Sequence, residues 1–188
     1  QNSTQGNKAR GGALYVPLGD LWIRNSTLSQ NSTGTRFPGY GEVPGDFADG
    51  GAILHGFGRL AIVGSTLSGN STAGDGADGG AIASLEDGLI QIVNSTLSGN
   101  NVFGAVTFGG GAVYFDNNHL AIFNTTITEN SAAVGGGIGV NADDNGERLV
   151  VINSIVSGNT AATNPDFTAP ADPANYLSVL YSLIGDNE

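Results

Sequence analysis

Residues 94–100 read NSTLSGN, and close copies of this stretch occur five more times. NSTLSQN stands at 25–31, GSTLSGN at 64–70, NTTITEN at 124–130, NSIVSGN at 153–159 and YSLIGDN at 181–187. Their first residues step by 39, 30, 30, 29 and 28. A second element keeps the same step: GGAL at 11–14, GGAI at 50–53 and 79–82, GGAV at 110–113 and GGGI at 135–138. Two elements locked to one period of about thirty residues mark a repeat architecture.

Aligning the copies on Asn94 exposes the local structure. Four residues before the anchor lie Leu21, Leu60, Ile90, Leu120, Leu149 and Leu177. Two before it lie Ile23, Ile62, Ile92, Ile122, Val151 and Val179, and the residues between are mixed. That alternation predicts a strand with one buried face. Three after the anchor, Leu28, Leu67, Leu97, Ile127, Val156 and Ile184 form another aliphatic column, flanked in the first four copies by Thr and Ser. Leu14, Ile53, Ile82, Val113 and Ile138 form a third, after the Gly-Gly corner.

Three short strands per thirty residues predict one coil of a parallel β-solenoid. A coil cannot bury its inner face alone, but stacking at about 4.8 Å pairs each strand with its copy above and below. The expected fold is therefore an all-β, right-handed, single-stranded parallel β-helix of about six coils, the hand following the usual crossover preference. The whole chain, 1–188, is expected to be one domain with a longer loop at 32–49. The last column, Asn31, Asn70, Asn100, Asn130, Asn159 and Asn187, is the same in all six copies and predicts an internal ladder of side-chain amides.

Composition agrees. Glycine accounts for 31 of 188 residues and charged residues for 12%, which suits a turn-rich β chain and not a helix bundle. The net charge of −11, with six basic residues and no basic stripe, argues against nucleic-acid partners. No run approaches the apolar length that spans a bilayer. Without cysteine there are no disulfides or thiolate metal sites. Asn-x-Ser/Thr sequons occur at Asn2, Asn25, Asn31, Asn70, Asn94 and Asn124, and the repeat itself places these residues at turns of the coil.

The paired motifs GGA[ILV] and L-x-x-N resemble the short repeats of polymorphic outer membrane proteins, and the right-handed β-helix repeats of bacterial surface and secreted proteins. The resemblance covers roughly 10–187. It differs from the former in having Leu, Ile or Val where they carry Phe. It implies an extracellular or cell-surface stalk, passenger or adhesin, and it carries no catalytic residue.

The residues offer few groups for chemistry. The rival reading is a polysaccharide lyase or hydrolase, which needs convergent carboxylates. Asp143, Asp144 and Glu147 beside Arg148 read more simply as a polar turn. His55 and His119 fall in different columns and make neither a triad nor a zinc site. The corners GDFADGGA at 45–52 and GDGADGGA at 74–81 are expected to stack Asp46 over Asp75 and Asp49 over Asp78, about 5 Å apart. Such oxygens suit Ca²⁺, the one cofactor the sequence suggests. The paired rows beginning Thr27-x-Ser29 and Thr66-x-Ser68 resemble an ice-binding face, though the second row is mostly Ser. Arg36, Phe37 and Tyr40 in the long loop are the expected contacts for a carbohydrate or cell-surface ligand. Both ends fall on ladder positions and lack a capping helix. The expected cover is either more of a longer solenoid or a second copy stacked head to tail.

Overall fold

The computed structural model describes residues 2–4, 9–34, 48–74, 76–104, 109–116, 118–141, 148–168 and 177–185. Among them there is no helix, and the strands stack in parallel into a β-solenoid of about five turns. The expectation of about six coils came from counting six motif copies. Six strand levels bound five full turns.

The aliphatic columns set the register. In the widest sheet Leu21–Arg24, the second half of Ile53–Val63, Gly88–Val93, Asn118–Phe123, Arg148–Ile152 and Leu177–Leu180 lie in sequence order. Leu21 pairs with Leu60, then Ile90, Leu120, Leu149 and Leu177 follow without a slip. A slip of one residue would turn the whole column outward, so burial holds the register. In a second sheet Leu28, Leu67, Leu97, Ile127, Val156 and Ile184 stack in the same way. In the third, Leu14, Ile53, Ile82, Val113 and Ile138 do so. These columns meet in one core, fully buried at Leu60, Ile92 and Leu97. The core is only partly covered at Leu14, Leu21 and Leu28 in the first coil and at Leu177, Val179 and Ile184 in the last.

The coil has four strands where the sequence predicts three. Ser3–Thr4, Ser32–Gly34, Ser71–Ala73 and Asn101–Phe103 form an extra sheet just after the Asn column, prolonged by bridges at Ser131 and Thr160. Its inward residues are Thr33, Thr72 and Val102, two of them polar, so no aliphatic column announces it. A separate small cluster of Ala9, Ala48, Ala77, Val102 and Ala132 packs apart from the main core.

The Gly-Gly corner has two separate requirements. The first glycine of each pair has a left-handed backbone, as at Gly50 (φ 65°) and Gly79 (φ 70°). The second has none of that freedom to protect, but a Cβ on Gly80 would sit 2.2 Å from the Gly111 carbonyl oxygen of the next coil. The anchor column is left-handed too, at Asn25, Gly64, Asn94, Asn124, Asn153 and Tyr181, which is why asparagine dominates it.

Candidate functional site

Three largely buried polar columns run along the stack, and each has a structural task. The first is the asparagine ladder. Oδ1 of Asn70 accepts from the backbone N–H (3.0 Å) and Nδ2 (2.9 Å) of Asn31. Asn100, Asn130 and Asn159 repeat this toward the C-terminal end, and Asn2 extends it at the other. The remaining donor of Asn70, Asn100, Asn130 and Asn159 reaches a carbonyl one coil back, as Asn100 Nδ2 does to Leu67 (3.0 Å). After Asn159 the acceptor is Asp166, which takes both the backbone N–H (3.2 Å) and Nδ2 (2.9 Å) of Asn159. A carboxylate suits a position that only accepts. Asn187 lies outside the described residues.

A second ladder escaped the sequence reading. Ser65, Ser95, Thr125, Ser154 and Ser182 follow the anchor in successive coils. Each hydroxyl oxygen accepts the backbone N–H of the preceding coil's equivalent, for example Ser65 N–H to Ser95 Oγ at 3.1 Å. The column of small hydroxyl residues beside a left-handed turn was visible in the alignment.

The third column is acidic. Asp49 and Asp78 stack in consecutive coils as expected, and Oδ1 of Asp49 accepts the backbone N–H of Asp78 (3.3 Å). Oδ1 of Asp78 accepts that of Gly109 (2.9 Å). Burial raises the Asp49 carboxyl to about 6, against the pull of the Asp78 N–H and of the Arg10 charge. Burial raises Asp78 to about 7, opposed by the Gly109 N–H and reinforced by the charges of Asp49 and Asp116. Asp46 and Asp75, the other two proposed calcium ligands, lie outside the described residues. Among the described residues no three His, Asp or Glu side chains gather as a metal site.

Arg36, Phe37 and Tyr40, and likewise Asp143, Asp144 and Glu147, also lie outside the described residues. The hydroxyl rows are in register: Thr27, Thr66, Thr96 and Thr126 in one, Ser29, Ser68, Ser98 and Thr128 in the other. His55 stacks between Val16 and Ser84 and His119 between Leu89 and Arg148, in different columns.

A groove of about 290 Å³ opens where the first two coils carry longer strands than the third. Leu14–Leu18 pairs with Ile53–Val63 as far as Leu18 opposite Phe57, whereas Ile82–Ser84 ends at Ser84. The paired ribbon and the turn at Leu85 and Glu86 form its walls. Leu18 is 71% exposed, Phe57 45% and Tyr15 44%. Arg10 lies on the Tyr15 ring, 5.4 Å from its centroid, and donates to its hydroxyl at 2.6 Å. Buried His55 lines the inner side, donating from Nε2 to the Gly19 carbonyl (3.1 Å). Its Nδ1 has no hydrogen-bond partner among the described residues. These residues fall outside the repeating columns, so the period does not reveal them.

Compared with family models, curated proteins and solved structures, the chain matches none.

Proposed function

We propose that this chain is a non-catalytic extracellular module, structural or adhesive, in which a stiff β-solenoid carries a binding surface. One observation supports this most: the buried polar residues that recur from coil to coil are engaged in holding the stack together. Asn70, Asn100 and Asn130 spend their amides on neighbouring coils, and Ser65, Ser95 and Thr125 spend their hydroxyls the same way. Even the stacked Asp49 and Asp78 accept backbone N–H groups. The recurring chemistry thus serves stiffness, and a stiff solenoid is a suitable stalk or display surface.

The motif resemblance to bacterial surface repeats supports an extracellular or cell-surface location. The half-covered core residues at the two ends, Leu21 and Leu28 on one side and Val179 and Ile184 on the other, are where a second copy or more solenoid would continue the stack.

The rival is a polysaccharide lyase or hydrolase. The test is incubation of the purified chain with a panel of neutral and acidic polysaccharides, with and without calcium, assayed for new reducing ends and unsaturated products. No release is expected. Sustained release that scales with protein concentration would overturn the non-catalytic reading.

A further inference from the structure

The groove between the first two coils and the third is an assembled surface that the repeat does not require. A solenoid coil needs inward aliphatics, corner glycines and ladder amides. It does not need two half-exposed aromatic rings and a leucine 71% exposed at one step of the stack. Large apolar side chains gathered on a rigid surface mark contact sites. Here they flank a concavity of about 290 Å³, near the lower end of the range for small-molecule sites, roughly 300–1,000 Å³.

We infer that this groove binds a neutral sugar ring of a glycan, with Tyr15, Phe57 and Leu18 as its apolar platform and Arg10 and Glu86 as its polar rim. The inference rests on the adhesive reading above and names its ligand class. The charges select the ligand. Arg10 and Glu86 lie on the same groove with opposite signs. An anionic ligand meets Glu86 and a chain of net charge −11, and a cationic one meets Arg10. A ring carrying hydroxyls suits both groups, because a hydroxyl accepts from a guanidinium and donates to a carboxylate. Its C–H face suits an aromatic side chain, whose body is apolar and whose edge is polar in the case of tyrosine.

The surface is also pre-organised. Arg10 is held by the Tyr15 hydroxyl and ring, so its remaining donors are presented in a fixed direction. The backbone beneath is strand, paired from Leu14 opposite Ile53 to Leu18 opposite Phe57. Rigid placement reduces the ordering cost of binding.

The test is affinity electrophoresis of the whole chain in native gels cast with hydroxyethylcellulose, galactomannan or laminarin, all neutral. Polygalacturonate and chitosan gels serve as charged comparators. The expected result is retardation in at least one neutral gel. Tyr15→Ala and Phe57→Ala should each weaken it roughly ten-fold, the cost of losing the ring area that a bound sugar would cover. Ser98→Ala, on the hydroxyl sheet, should leave it unchanged. Both rings are half exposed, and circular dichroism with a melt checks that each variant keeps the fold. Glu86→Gln is a milder variant, expected to weaken neutral-gel retardation without touching the platform. No retardation in any neutral gel, retardation in charged gels alone, or retardation that Tyr15→Ala and Phe57→Ala leave intact would overturn the assignment. The two readings fail separately: depolymerisation refutes the non-catalytic reading, and the outcomes just named refute the groove.

Discussion

The carboxylate of Asp49 accepts the backbone N–H of Asp78, one coil further on, and the carboxylate of Asp78 accepts that of Gly109. Two acids are thus placed one above the other in a mostly buried corner, where ionisation is costly. Their folded values, about 6 and about 7, lie above the ordinary 3.8. Between those limits the folded chain binds more protons than the unfolded one, so stability falls as pH rises from about 4 to 7 and levels off above. Urea unfolding at pH 5 and pH 8 should show the difference. Asp78→Asn keeps an oxygen for the Gly109 N–H and removes the charge. It should raise stability at pH 8 by on the order of 1–3 kcal/mol and reduce the pH dependence. A variant that is less stable than the parent at pH 8 would contradict this account.

Calcium at this corner has its own measurement. Isothermal titration and melts with calcium or EDTA at pH 8 read it directly. If Ca²⁺ bridges the acidic corner, heat is released and the melting temperature rises, and Asp78→Asn removes both effects. No heat and superimposable melts would exclude it.

The two kinds of corner glycine separate experimentally. Gly80→Ala drives a Cβ to 2.2 Å from the backbone oxygen of Gly111, which cannot withdraw without opening the ladder. We expect a loss of about 3 kcal/mol or more, or failure to fold. Gly99 is left-handed (φ 62°), and among the described residues the nearest atom a Cβ there would meet is the Gly69 nitrogen, at 4.0 Å. Gln30 and Glu129 hold the equivalent left-handed positions, so Gly99→Asn should cost less than about 1 kcal/mol. Denaturant midpoints of the two variants check the contrast.

The fold was legible wherever one residue type recurs at one period. The columns through Leu60, Leu67 and Ile53 stack in the register the alignment implies, and so does the ladder from Asn31 to Asn159. What escaped was chemistry without an aliphatic signature. The fourth strand turns Thr33 and Thr72 inward, so hydrophobic alternation is missing. The ladder's acceptor beyond Asn159 is Asp166, only seven residues further along the chain, a relation no thirty-residue period encodes. The groove joins Arg10 and Tyr15 to Phe57 and Glu86 from three coils, and its residues are exceptions to the repeat. The expected contacts Arg36, Phe37 and Tyr40 lie outside the described residues, so the groove is a separate candidate surface.

The central claim, that the buried recurring polar residues hold the coils together, is tested most directly at Asn100. Its Oδ1 serves the backbone and side-chain N–H groups of Asn70, and its Nδ2 serves Asn130 and the Leu67 carbonyl. Asn100 is fully buried, so Asn100→Ala leaves two donors and a carbonyl short of partners where water cannot easily replace them. Urea denaturation of Asn100→Ala against the parent chain is the measurement. A loss of about 3 kcal/mol or more is the predicted result. A loss below about 1 kcal/mol would contradict the account.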